Sequence, residues 1–319
     1  MPVTTSQQIS RYYQQFHAIE VTFTKEVIKA THLYSKQVYI KCLGYHWPCI
    51  VYSSSMSGAK VIMNITTSLR DALRKSNNMI SLRFSFLQPD KSDALAFFVG
   101  AKIAGSSPYG EKNPELSFVT ISFTQRPPDD LIEILGELLE ANVNSRKRSE
   151  ERIVVTSDSL RKLGLGTKGA LLTIEQVPRK CIIRDLSFSG AKVIIVGLAK
   201  FLVNRTAVLR LQLADDEGQI ELVGKVVRFE PVEGRTDIAA FAIQFDEDKV
   251  PIKYKMKINS FLRTVKIKPA RGADSGGAQI QGKQDSKPSE NAGNNPTAGS
   301  AAGSATGSPS PTEPNTEDN

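Results

Sequence analysis

Along most of this chain hydrophobic and polar positions alternate with a period of two or give way to short unbroken apolar runs, with turn residues between them. The pattern predicts strands at 20–28, 36–42, 48–53, 59–64, 81–87 and 95–103, then at 152–156, 170–176, 180–185, 191–196, 206–213, 219–229 and 238–245. Turn signals stand at Ser57-Gly58, Ser189-Gly190, Asp216-Glu217-Gly218 and Pro231 to Gly234. Between 129 and 144 the period changes. Leu131, Ile132, Leu135, Leu138, Leu139 and Val143 form a stripe of helical period behind the acids Asp129 and Asp130, which predicts a helix. A second helical stretch follows at 250–265. Many short strands with few helices point to a mainly β protein made of small barrels.

The chain also repeats itself. Residues 49–62 read CIVYSSSMSGAKVI and residues 181–194 read CIIRDLSFSGAKVI, nine identical positions at a constant offset of 132. A weaker echo follows each copy, FVTISF at 118–123 and FAIQF at 241–245, and a helical segment follows each echo. Matches in the same order imply a duplicated domain. The expected architecture is two β-barrel domains, 1–144 and 145–268, joined by the short helix, with a tail at 269–319. From Arg271 onward Ile280 is the one large aliphatic side chain. So little apolar surface does not offset ordering entropy, and the tail is expected to be disordered.

Charge adds a constraint on partners. The tail holds three basic residues, Arg271, Lys283 and Lys287, against six acids, which leaves 38 basic and 27 acidic side chains, a net +11, on residues 1–270. Such a body favours phosphates, nucleic acid or an acidic protein surface. Three cysteines, Cys42, Cys49 and Cys181, make no disulfide framework and fit a reducing compartment. The start, MPVTTSQQISRYYQQF, lacks the order of a secretory signal, and Lys192 and Lys200 interrupt the best apolar stretch. A cytoplasmic chain without membrane insertion is expected.

The candidate chemistry gathers in the second copy. Residues 146–152 read RKRSEER, with Arg148 and Arg152 four apart ahead of a strand, and Asp185-Leu186-Ser187-Phe188-Ser189-Gly190 follows thirty-three residues later. Arg-x3-Arg, then Asp-x-Ser-x-x-Gly, resembles the PilZ domain family, bacterial receptors for cyclic di-GMP, over about 145–265. The two halves together resemble a PilZ-like N-terminal domain fused to a PilZ domain. The resemblance implies two PilZ-type barrels, cyclic di-GMP as ligand with no cofactor, and a role in motility and host-related signalling. It assigns the ligand to Arg148, Arg152, Asp185, Ser187 and Gly190, with Lys147, Arg146 and Arg184 as lesser candidates.

Physical chemistry supports these residue types independently. A guanidinium fork fits the guanine O6/N7 edge, stacks on purines and pairs with phosphate. A carboxylate such as Asp185 accepts from guanine N1–H and N2–H, Ser187 adds a small hydroxyl, and Gly190 leaves room for close backbone approach. The plainer alternatives are a solvated charged run at 146–152 and an Asx turn at 185–190. At the 132 offset Phe16, Glu20 and Ser53 replace Arg148, Arg152 and Asp185, so the first half is expected to keep the fold without this ligand and to contact a protein partner through residues 1–144. The 146–152 segment is expected to be mobile until a ligand orders it and fixes the domains relative to each other.

Other motifs are weaker. Cys42-x3-His46-x2-Cys49 lacks a fourth ligand and zinc spacing, and reads as core cysteines with no metal. Gly164-x-Gly166-x-x-Gly169 reads as a loop. His17, His32 and His46, all in the first domain, complete no catalytic arrangement, so no enzyme is expected. The rival reading is a nucleic-acid-binding protein using Lys253, Lys255, Lys257, Arg263, Lys266 and Lys268.

Overall fold

Threonine hydroxyls start the first helices. Thr5, Thr24 and Thr66 each accept from the backbone N–H three residues on, the N-cap bond that satisfies one free donor of a helix. They open α1 (Ser6–Phe16), α2 (Lys25–Thr31) and α3 (Thr67–Lys75) in a computed structural model that describes residues 4–88, 91–110, 113–196, 200–214 and 218–266. The tail expected at 269–319 lies outside the described residues.

The strands of the N-terminal half are β1 (Val21–Thr22), β2 (Tyr39–Cys42), β3 (Tyr45–Pro48), β4 (Ile50–Ser54), β5 (Gly58–Asn64), β6 (Met79–Phe86), β7 (Leu95–Pro108) and β8 (Leu116–Phe123). They form one sheet in the order β1-β4-β5-β8-β7-β6-β2-β3. The strand expected at 20–28 is corrected to two residues of β1 followed by α2. Its β-branched Val21, Thr22, Val27 and Ile28 suit a strand, but the Thr24 cap turns the chain into a helix.

The helix expected at 129–144 is α4 (Asp129–Lys147). Leu131, Ile132, Leu135 and Leu138 of its stripe are buried, and α1 packs on it through buried Ile9, Tyr12 and Phe16.

After α4 come β9 (Ile153–Val154), α5 (Ser157–Leu163), β10 (Gly169–Ile174), β11 (Val177–Leu186), β12 (Gly190–Val196), β13 (Thr206–Gln212), β14 (Gln219–Val232), β15 (Arg235–Phe245) and α6 (Ile252–Lys266). The sheet order is β10-β13-β14-β15-β12-β11-β9, and β10 also pairs with β11, so six strands close into a barrel with β9 appended. The fold is mainly β, as the spacing implies.

The duplication runs further than the sequence match. β1 pairs with β4 at Val21↔Ser54, and β9 with β11 at Ile153↔Leu186, again 132 residues on. Both β4 and β11 bulge at the same step, between Val51 and Ser53 and between Ile183 and Asp185. Thr24 and Thr156 cap α2 and α5, which both end on a left-handed residue, His32 (φ 57) and Gly164 (φ 62).

α6 belongs to both cores. Ile252 and Met256, one turn apart, pack into the N-terminal cluster, whereas Tyr254, Ile258 and Leu262 pack into the barrel. On the α4 side, Asn144 donates to Asn259 (2.6 Å), and Arg263 pairs with Glu137 (2.9 Å). Near the start of α6, the Ile252 N–H donates to the Glu26 carboxylate of α2 (2.6 Å).

Candidate functional site

The β11–β12 turn holds the Asp-x-Ser-x-x-Gly residues. At the β11 bulge, Ile183 points into the barrel and Asp185 points outward, half-buried. A bulge re-aims a side chain without ending the strand. Arg184, at the bulge itself, is exposed, and its carbonyl accepts from Val155 N–H at 2.8 Å. Leu186 and Phe188 anchor the turn in the core. Between them Ser187 is fully buried, its Oγ accepting from Gly190 N–H at 3.0 Å and its own N–H donating to the Gly190 carbonyl at 2.8 Å. The room left by Gly190 is filled by protein, because a Cβ there would overlap the Ile243 carbonyl oxygen of β15. Ser187 and Gly190 shape the turn that carries Asp185.

The arginine arm lies against this turn. Arg152 donates to the Asp185 carboxylate at 2.6 Å, with the arginine 41% and the aspartate 17% exposed. Ser189 adds a second tie, its Oγ donating to the Ser149 carbonyl (2.8 Å), with the Glu150 carboxylate 3.1 Å away as an alternative acceptor. The arm is thus the last turn of α4 followed by a turn at 148–150, laid against the β11–β12 turn. Arg146 and Lys147 form the exposed last turn of α4, where cations suit the helix dipole. Arg148 caps the helix, its N–H donating to the Asn144 carbonyl at 2.8 Å and its side chain half-buried. Arg146 reaches Glu247 at 4.0 Å.

Strand register adds residues that the motif does not contain. Val154, Asp185, Lys192, Ala242 and Arg228 lie in one row across β9, β11, β12, β15 and β14, on the outer face. In the next row Ile194, Ala240 and Glu230 are neighbours. Lys192 pairs with Glu230, and Arg228 joins the same carboxylate at 2.8 Å. The bond from Lys192, then the charges of Lys192, Arg228 and Arg152, holds the Glu230 carboxyl below the usual range. The result is a charged wall around a floor of two alanines, beside the arm. Ser189 sits inside the motif and was legible in principle, whereas Arg228 and Glu230 reach the site only through β14–β15 pairing.

The same surface in the N-terminal half is built differently. Glu20 accepts from Ser53, at the positions of Arg152 and Asp185. Phe118 and Thr120 stand where the barrel has Ala240 and Ala242, and Gly105 and Ser107 where it has Arg228 and Glu230. Tyr52 and Tyr109 pack on Phe118 with ring centroids 5.0 and 5.1 Å apart, and Lys60, the counterpart of Lys192, lies 5.9 Å from that ring. Aromatic side chains fill what is an alanine floor in the barrel.

The remaining candidates do not converge. Cys42 and Cys49 are buried, and His46 stands on the exposed side of the β2–β3 hairpin. Gly164 ends α5 and begins a loop. Arg263 is occupied by Glu137 and Glu140 (2.9 and 3.8 Å), and Lys253, Lys255 and Lys257 are half-buried, so this part of the basic stretch is not an open face. Lys268 lies outside the described residues. No helix among the described residues is long and apolar enough to cross a membrane.

A duplicated β fold with an Arg-x3-Arg arm against an Asp-x-Ser-x-x-Gly turn defines a class of protein. Residues 7–142 match the PilZN3 domain and residues 146–262 the PilZ domain. Over 270 residues the chain is 46% identical to a cyclic di-GMP binding protein of Treponema denticola, spanning 85% of this chain and 86% of that one. The chain belongs to the PilZ family. Among solved structures it is similar to Borreliella burgdorferi PlzA in complex with c-di-GMP, at 28% identity and a TM-score of 0.37 over 80% of this chain and 98% of the other. It is also similar to K. pneumonia MrkH in complex with c-di-GMP, at 13% identity and a TM-score of 0.26 over 82% and 95%.

Proposed function

We propose that this chain is a non-enzymatic cytoplasmic receptor for cyclic di-GMP. The observation that carries the reading is the Arg152–Asp185 pair on the turn–arm junction, beside the alanine floor and charged wall. The relative from Treponema denticola, named as a cyclic di-GMP binding protein, supports the ligand class. Asp185 would accept from the guanine N1–H and N2–H edge, and Arg152 and Arg148 would pair with phosphate or stack on a purine. To do so the ligand exchanges the Arg152–Asp185 bond for its own. The ligand's N–H donors and phosphate would replace that bond, so neither group would be left unpaired. Ser187 and Gly190 serve by holding the turn, and Arg146, Lys147 and Arg184 add positive potential at the rim.

The domain division at 144/145 belongs to this proposal. The barrel, 145–268, holds the ligand, and residues 1–144 offer a surface to a protein partner through which motility or host-related processes are regulated. Ligand binding would bias the interdomain arrangement by the difference in its affinity for the two arrangements. The rival nucleic-acid reading loses Arg263 to its ion pairs with Glu137 and Glu140.

Calorimetric titration of cyclic di-GMP into the full chain tests the reading. Arg152→Ala and Asp185→Ala each leave polar ligand groups unpaired, and each should weaken binding by about 2 kcal/mol, or about 30-fold. Parent-like affinity in both variants would move the site elsewhere.

A further inference from the structure

The site turn has a buried polar tie to the helix between the two cores. Tyr254 of α6 is 2% exposed, and its hydroxyl donates to the backbone carbonyl of Ser187 at 2.7 Å. Its ring meets Phe245 edge-on with centroids 5.9 Å apart, and Phe245 N–H donates to the Ser189 carbonyl at 2.7 Å. Burial, and then the charge of Asp185, pushes the phenol pKa up, so the hydroxyl stays a donor at neutral pH.

Another face of α6 meets the other half, while Ile258 and Leu262 stay in the barrel core with Tyr254. Ile252 and Met256 pack into the N-terminal cluster, and Asn259 and Arg263 are held by Asn144 and Glu137 of α4. The last turn of α4 leads directly into the arginine arm. Thus α6 touches both walls of the site, the turn through Tyr254 and the arm through α4.

We propose that Tyr254 is a positioning residue that ties the Asp185–Gly190 turn to α6, so that a ligand gripping turn and arm also fixes α6 against the N-terminal half. The inference rests on the cyclic di-GMP reading and names how that site reports its occupancy. Coupling of this kind needs an element that both sites bias. α6 is that element, because its two faces belong to different cores and the Tyr254 hydroxyl reaches the turn. Without the hydroxyl, the turn still accepts ligand, but its ordering no longer passes to the helix.

Tyr254→Phe removes the oxygen and keeps the ring. Calorimetry of the full chain with cyclic di-GMP is run beside amide exchange of residues 252–266 with and without ligand. The parent should bind, and ligand should slow exchange in α6 by about fivefold or more. Tyr254→Phe should bind within about tenfold of the parent, with less than half of that slowing. Phe245→Leu loosens packing at the same turn without cutting the hydroxyl bond, and should keep the slowing. Equal slowing in Tyr254→Phe and parent overturns the proposal, as does equal loss in Phe245→Leu and Tyr254→Phe, or binding by the parent with no change in α6. Absence of binding by the parent is a separate outcome, seen in the calorimeter, that removes the ligand reading and this inference with it.

Discussion

Gly58 and Gly190 have their missing Cβ positions occupied by a backbone carbonyl, that of Ile121 and that of Ile243. Backbone does not give way as a flexible side chain does. Gly190→Ala and Gly58→Ala should each cost about 1–3 kcal/mol, read as a lower denaturant midpoint. A loss below about 0.5 kcal/mol, the level of a neutral surface change, would contradict the packing. Both glycines lie in the repeated SGAKVI string, so sequence flags the position but not its cause. Asp185 and Arg152 were legible as a spaced pair of charged residue types. Arg228, Glu230 and Tyr254 were not. They join the site through strand register, a bulge and the helix after the barrel, none of which leaves a local pattern.

α4 and α6 meet through charge as well as apolar packing. Arg263 sits between Glu137 and Glu140, and Tyr12 and Asn259 also donate to Glu140 (2.9 and 3.1 Å). Burial raises the Glu137 pKa against the pull of Arg263. A carboxyl raised in the folded state adds stability that is fully present below its unfolded pKa and is lost as pH rises through the folded value. Arg263→Met removes the cation paired with the half-buried Glu137 and leaves Glu140 paired with Arg11. It should destabilise the chain by about 3 kcal/mol at neutral pH, and by less as pH falls into the carboxylate range. Denaturation at pH 7 and at pH 4.5 checks this, and a loss that grows on acidification would contradict it. Of these helices, the apolar stripe of α4 was plain in the sequence, whereas α1 was missed. Its buried Ile9, Tyr12 and Phe16 are spread among glutamines, and it forms because α4 covers them.

At the scale of the whole molecule, the two halves share one plan but differ in surface, one with an alanine floor ringed by charge and one filled by aromatic rings. The repeat made the duplication legible, and the replacements at Phe16, Glu20 and Ser53 made the asymmetry legible. Closure of the second sheet, and the open order of the first, depend on long-range pairing that no window of sequence contains. All three cysteines are buried, and burial pushes Cys49 and Cys181 up to about 12. At pH 8 the folded chain should therefore resist a thiol reagent and release three equivalents only on denaturation; rapid reaction of any thiol in the native state would contradict these cores. A guanine-reading site is tested by titrating the full chain with cyclic di-GMP and, in parallel, with cyclic di-AMP. The two ligands share the phosphate ring, but adenine offers no N1–H to Asp185. Cyclic di-GMP should bind saturably and cyclic di-AMP at least about 100-fold more weakly, since a buried acceptor left unpaired costs about 1–3 kcal/mol and each guanine edge is read separately. Equal affinity for the two, or none for either, would contradict a guanine-reading site.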